Sequence, residues 1–274
     1  MLKRMWNSSA LRFVILVAVE LFCITACRRR SWVILLDLPT QQMSPTDRKS
    51  TQSLVSNILI RRLKIAGAHG STVEIKDETE LVVKLGSNVN AERLHVRSLL
   101  TARGQLEVRV AFDDRFINQI SSVLESQGMT LSQFSDQLKQ KSLNPSLAKL
   151  LPKDSLLIPI DNGHFAIVEN RAPLTGSMIE DVRITQDYGG EGILIKYGPE
   201  GRKRLEEMTR SNIGKSLAFI LDGTVLIMPV IRAPISDGLA MLEGKFTSDD
   251  LRYLTAILNA GEMPVQPRIV SSRY

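Results

Sequence analysis

Cysteine is nearly absent from this chain. Its 274 residues hold two, Cys23 and Cys27, both within the first thirty. No pair is left to staple the remainder, so the fold must stand on its apolar core. Histidine is scarce as well. His69, His95 and His164 lie far apart, without the i,i+4 partner or neighbouring cysteine that a zinc site needs. There is no G-x-S-x-G nucleophile elbow. Gly214-Lys215-Ser216 resembles the end of a phosphate-binding loop, but the glycine that loop needs five residues earlier is Thr209 here. The lysine also leads into a strand, so no helix N-terminus faces a phosphate. Asp113-Asp114 and Asp249-Asp250 are paired carboxylates; the second pair opens a helix, where capping accounts for acids. The expectation is a non-enzymatic protein with no catalytic, cofactor-binding or metal-binding residues.

A continuous apolar run of about 20 residues, as a spanning helix requires, is also missing. The nearest is Phe13–Ala26, interrupted by Glu20 and Thr25 and preceded by the basic Lys3, Arg4 and Arg12. This is the build of an export signal. Ile24-Thr25-Ala26-Cys27 resembles the lipobox of bacterial lipoproteins, in which small residues fit the peptidase and the thiol accepts the diacylglycerol. That resemblance implies lipidation at Cys27. An uncleaved membrane anchor is the other reading, with Glu20 costing about 2.5–3.5 kcal/mol near the centre of the span. Arg28-Arg29-Arg30 is awkward for both, because positive charge outside a hydrophobic segment opposes export. Either way the bulk of the chain is expected outside the cytoplasmic membrane of a bacterium, tethered by lipid or by the N-terminal segment. Removing residues 1–26 takes away Lys3, Arg4, Arg12 and Glu20, which lowers the formal +6 to +4. So small an excess suits anionic headgroups better than nucleic acid.

The exported part alternates short apolar runs with helical patterns. Val33–Leu38 reads as a strand. Val55, Leu59 and Leu63, with Ile58 and Ala66 beside them, form one face of a helix from Ser50 that Gly67 ends. Val73 and Ile75, then Leu81–Leu85, make a hairpin. A second helix runs from an Asn90 cap to Ala102, and Leu106, Val108 and Val110 alternate as a further strand. The order is βαββαβ, the ferredoxin-like arrangement. Phe112–Pro152 reads as an inserted helical element, with Phe116, Ile120 and Leu124, then Leu131, Phe134 and Leu138, at helical spacing. A hairpin over Leu156–Val168, strands at Val182–Thr185 and Gly192–Tyr197, a helix from Pro199 to Asn212 and a last helix from Thr247 to Gly261 follow.

The richest stretch is SNIGKSLAFILDGTVLIMPVIRAPISDGLAMLEGKFT, Ser211–Thr247. Two apolar runs flank Asp222-Gly223, a strong hairpin signal because glycine supplies the positive φ that the turn needs. Pro229 and Pro234 then interrupt the second arm, which places it at a sheet edge. This stretch resembles the signature of the first large periplasmic domain of the SecD family, an accessory membrane subunit of the Sec protein-export machinery. The family pattern GKxLAIxLDGxVxSAPxIxxPI, followed by G-x-F-T, is met at Gly214, Asp222, Gly223, Pro229, Ile231, Pro234, Gly244 and Phe246. Met228 stands where the family usually has alanine. A weaker likeness covers Val33–Val110, where Arg62 and Gly67 match the family's LxxRxxxLG helix end.

The resemblance implies an α+β fold, a ferredoxin-like βαββαβ base carrying an additional α+β head subdomain. The expected division is a signal or anchor over residues 1–30, a base over 31–111, an inserted helical segment over 112–152, a head over 153–262 and an extended end over 263–274. Family members continue into a transmembrane bundle where protons drive the cycle; this chain ends at Tyr274 without a second membrane segment, so it is not expected to conduct protons. The resemblance implies a polypeptide-binding domain that assists export, with a translocating chain, an envelope protein or the Sec translocon as partner. A structural envelope lipoprotein that uses the same fold for assembly is the alternative. The signature residues have mostly structural duties on this reading: Asp222 starts a turn, and Phe246 staples a helix entry. Substituting Ile231 or Phe246 is expected to weaken polypeptide binding.

Overall fold

A computed structural model describes residues 32–273 apart from 88, 91–94, 140–148, 161–163 and 188–189. Cys23 and Cys27, and with them the expected lipidation site, lie outside the described residues. No helix among the described residues is long and apolar enough to cross a membrane.

The first sheet is built from β1 (Val33–Asp37), β2 (Thr72–Ile75), β3 (Glu80–Lys84) and a strand from the far end of the chain, Arg268–Arg273. Their order puts the C-terminal strand first, then β1, β3 and β2, and all neighbours are antiparallel. That is the ferredoxin-like order. Ile34 and Leu36 of β1 and Leu81 and Val83 of β3 are buried, while alternate residues look outward. Helix α1 (Pro45–Ile65) covers the buried face with Val55, Ile58, Leu59 and Leu63, joined by Val96 and Leu100 of the short α2 (Val96–Thr101). Helix α1 begins five residues before the expected Ser50. Ser44 caps it by accepting the Asp47 N–H at 3.2 Å, and Pro45 sits at a first-turn position where its missing N–H is harmless. Residues 91–94 of the expected Asn90-capped helix fall outside the described residues.

One strand is not where the βαββαβ order predicts. Strand β4 (Leu106–Val110) leaves this sheet, and Arg268–Arg273 takes its place beside β1. Its alternation suits either sheet, and the partner that claims it lies more than a hundred residues downstream. Everything from β4 to the last helix is thus inserted between α2 and the closing strand.

Within that insertion, β4 joins a sheet ordered β11 (Thr224–Ile227), β10 (Leu217–Leu221), β4 and β7 (Leu174–Thr175). A second sheet holds β12 (Leu239–Leu242), β9 (Gly190–Tyr197) and β8 (Ile179–Asp187) in that order. Helices α5 (Pro199–Ser211) and α6 (Ser248–Ala260) pack with both sheets around Leu106, Val108, Ile195, Leu205, Phe219 and Leu251. The antiparallel pair β5 (Ser155–Pro159) and β6 (Phe165–Glu169) lies over the other face of β10, against Ala218 and Ile220. The expected helical insertion forms α3 (Asp114–Ser126) and α4 (Leu131–Lys139), whose Ile120, Leu124 and Phe134 pack on Leu157 and Ile167 of that pair. Phe116, on the same predicted stripe, stays 41% exposed. Helix α6 closes the structure by lying between the inserted sheets and α1.

Candidate binding surface of the signature hairpin

The turn between β10 and β11 has two residues, with Leu221 opposite Thr224. Asp222 has φ of 49° and Gly223 of 81°. Both central residues are left-handed, the geometry that matches the twist of the flanking strands. The Asp222 carboxylate accepts the Gln105 N–H through Oδ1 at 2.8 Å and the Gly104 N–H through Oδ2 at 3.0 Å. Its own N–H donates to the Gln105 carbonyl at 3.0 Å. Asp222 therefore ties the hairpin tip to the chain entering β4.

Arg62 lies next to this weld and is fully buried. Its Nη1 donates to the carbonyls of Leu99 and Ala102, and its Nη2 to those of Arg103 and Gly261. Three of these acceptors lie at the end of α2 and one just past α6, where helix C-termini carry partial negative charge. Burial lowers the guanidinium pKa to about 10, while Tyr253 and Asp222 pull it back up, so it is charged at neutral pH. Gly104, with φ of 82°, is the only residue type that fits beneath it: an added Cβ would sit 2.5 Å from Arg62 Nη2.

The signature continues past β11 without becoming regular strand. Pro229 has no N–H to give to Leu217, so the ladder stops at Ile227. Pairing persists all the same. The Leu217 N–H donates to the Pro229 carbonyl at 2.9 Å, the Ile231 N–H to Lys215 at 2.8 Å and the Gly214 N–H to Ile231 at 2.9 Å. Ile231 is thereby turned into the core, 5% exposed, whereas its neighbour Val230 is 56% exposed. Pro234 is exposed, and the Ile235 N–H that follows it donates to the buried Thr209 Oγ1 at 2.9 Å. Phe246 is half-buried, and its ring fills the space where a Gly244 side chain would begin, 3.1 Å away. Gly214 has φ of 86° and Lys215 leads into β10.

Beside this edge lies an open cleft of about 440 Å³. Phe112, Phe116 and Met228 give it an apolar side; Asp114, Glu169 and Lys215 bring charge. Asp113 also borders it but is engaged, capping α3 through the Arg115 N–H at 2.8 Å and pairing with the Arg115 side chain. That pairing holds its carboxyl below the usual range. The Asp113-Asp114 and Asp249-Asp250 pairs thus both sit at helix starts.

The histidines are not brought together. His69 and His164 are exposed, and His95 stands at the head of α2 with Nε2 3.5 Å from Asp250. Among the described residues no group of three His, Cys, Asp or Glu could hold a metal. Of the basic run on α5, Arg202 donates to the Ser236 carbonyl and Arg204 to Glu200 and Pro173. Sequence reasoning passed over Arg109, which is buried and ties Glu107 to the carbonyls of Glu169 and Asn170. The signal was present: Glu107 and Arg109 share the face of β4 opposite Leu106, Val108 and Val110.

Residues 148–265 match the family described as SecDF, P1 head subdomain. Across 247 residues the chain is 29% identical to the protein translocase subunit SecD of Elusimicrobium minutum, covering 88% of this chain and 50% of that protein. Across 241 residues it is 27% identical to the protein translocase subunit SecDF of Thermus thermophilus, covering 88% of this chain and 29% of that one. The chain therefore spans half or less of these relatives. Among solved structures, a chain from work on SecDF as a membrane component that enhances protein export is similar at a TM-score of 0.58 and 26% identity, over 88% of this chain and 99% of that one. The fold also matches SecDF in its super-membrane-facing form, at a TM-score of 0.61 and 23% identity, over 97% of this chain and 35% of that one.

Proposed function

We propose that this chain, which is similar to SecD proteins over most of its length and whose residues 148–265 match the SecDF P1 head subdomain, is a SecD-type domain that assists protein export by holding non-native polypeptide outside the cytoplasmic membrane. The observation that carries this reading is the signature hairpin, which sets an exposed strand edge beside an open, partly apolar cleft. Such a surface suits weak, sequence-tolerant association: main-chain bonds recognise any extended segment, and apolar contacts add affinity. No covalent chemistry is needed. On this reading the ferredoxin-like sheet with α1 and α2 is the base, β4 to β12 form the head, and residues 1–30 with Cys27 supply the tether.

The test is a binding comparison on the full chain held in lipid nanodiscs. Reduced, alkylated ribonuclease A should bind at least about tenfold more tightly than the same protein folded, a difference of roughly 1.4 kcal/mol. Equal or absent binding of both forms would instead favour a structural lipoprotein whose partners are folded envelope proteins. For the tether, a Cys27→Ser variant should lose labelling by a lipid precursor; labelling that persists would sink that part of the reading.

A further inference from the structure

The hydrogen-bond pattern past β11 singles out two residues. The bonds Leu217 N–H to Pro229 and Ile231 N–H to Lys215 bracket the bridge between Ser216 and Val230. In an antiparallel pair, opposed residues alternate between exchanging both their bonds and exchanging none. Ser216 and Val230 are a pair of the second kind, so the Val230 N–H and C=O point away from β10. Phe219 faces Ile227 in the same register, which makes Met228 the partner of Ala218 and gives it the same outward orientation. Neither Met228 nor Val230 makes a main-chain hydrogen bond among the described residues. Pro229, between them, withholds an N–H only on the inner side. The proline that cuts short the chain's own ladder thus leaves the outward main-chain groups of Met228 and Val230 in place, with the Met228 side chain half-buried on the Ala218–Ile220 face and that of Val230 exposed.

We propose that Met228 and Val230 form a docking edge to which an extended polypeptide segment adds as a further strand. Residues two apart on a strand are separated by about 6.8 Å, the repeat at which an added strand offers its own donors and acceptors. This rests on the polypeptide-holding reading and names its contact residues. It also moves the site: Ile231 and Phe246 pack into the core, and the residues that meet a partner are their neighbours. The surroundings define the occupant. Val230 and Ile213 are each 56% exposed and Phe116 is 41% exposed, so apolar side chains of the segment find partners. Asp114 and Glu169 border the adjoining cleft with no ion pair among the described residues, against the single Lys215. A segment that mixes apolar with basic residues fits best, and an acidic one is disfavoured.

Hydrogen exchange on the full chain in nanodiscs, with and without reduced, alkylated ribonuclease A, tests the edge directly. The Met228 and Val230 amides should exchange quickly alone and at least about tenfold more slowly when the unfolded protein is bound. The Ile231 amide, already bonded to Lys215, should change little. Val230→Pro removes the outward N–H and should weaken binding about tenfold, whereas Val230→Thr, which keeps it, should stay within about threefold. If unfolded ribonuclease binds while both amides exchange as before, the edge is overturned and the polypeptide-holding reading survives. If it does not bind at all, both fall. Should Val230→Pro fail to fold, the exchange of the unaltered chain decides.

Discussion

Gly104 and Gly223 have nearly the same backbone, with φ of 82° and 81°, and very different surroundings. A Cβ on Gly223 would meet nothing within 4 Å, while one on Gly104 would press on Arg62 at 2.5 Å and Ile257 at 3.1 Å. Gly223→Ala should therefore cost only backbone strain, about 1–2 kcal/mol. Gly104→Ala adds a collision with a guanidinium held by four carbonyls, and should cost about 3 kcal/mol or more. Urea unfolding of the two variants measures the difference; equal midpoints would mean that Arg62 does not fill the space over Gly104. The turn at Gly223 was readable from Asp-Gly between two apolar runs. The role of Gly104 was not, because it depends on a side chain 42 positions earlier that only the tertiary fold brings near.

Helix α6 shows what a local signal can carry. Thr247 and Asp250 form a reciprocal box: the Asp250 N–H donates to Thr247 Oγ1 at 3.1 Å, and the Thr247 N–H donates to Asp250 Oδ2 at 2.9 Å. The bonds from the Thr247 side chain and backbone, with a lesser pull from His95, hold the Asp250 carboxyl below its ordinary value. A carboxyl depressed in the folded state adds stability above its unfolded pKa and loses it as pH falls through the folded one. Protection of the first turn of α6 should accordingly be steady from pH 7 to about pH 5 and fall below about pH 4. In Asp250→Asn the acid-dependent part of that loss should vanish. Identical acid profiles in the two proteins would remove Asp250 from the account. The same kind of local reading located α5 from its first-turn proline and the β10–β11 hairpin from its turn. It placed the start of α1 too late, because Ser44-Pro45 lies in a polar stretch that resembles a loop until the capping bond from Asp47 is seen.

The ferredoxin-like base was legible as a pattern of elements, yet one of its strands was misassigned. Periodicity reports that a segment has one apolar face; it does not report which sheet receives that face. The base is completed only by Arg268–Arg273, so it cannot close before the inserted residues 102–267 have been spanned. Base and insertion meet where α1 packs on α6 and where the Met263 N–H donates to the Arg103 carbonyl at 2.8 Å, and Arg62 adds a buried charge to that junction. The arginine leaves α1, takes three carbonyls at the exit of α2 into the insertion, and takes the Gly261 carbonyl where the chain returns to the base. Both crossings thus converge on one buried charge. Arg62→Met fills similar volume but takes the guanidinium from four carbonyls, of which only Arg103's keeps another donor among the described residues, the Met263 N–H at 2.8 Å; the cost should be about 2–4 kcal/mol. The loss falls on the junction, so the two parts should uncouple. Hydrogen exchange in rising urea should show residues 33–101 and residues 106–242 opening together in the unaltered chain and at separate urea concentrations in Arg62→Met. Arg62→Lys, a single ammonium that cannot reach all four acceptors at once, should lie between them. A single shared transition in Arg62→Met, at the midpoint of the unaltered chain, would mean that the packing of α1 on α6 and the bonds of Arg103 to Met263 and Glu262 join the two parts without Arg62.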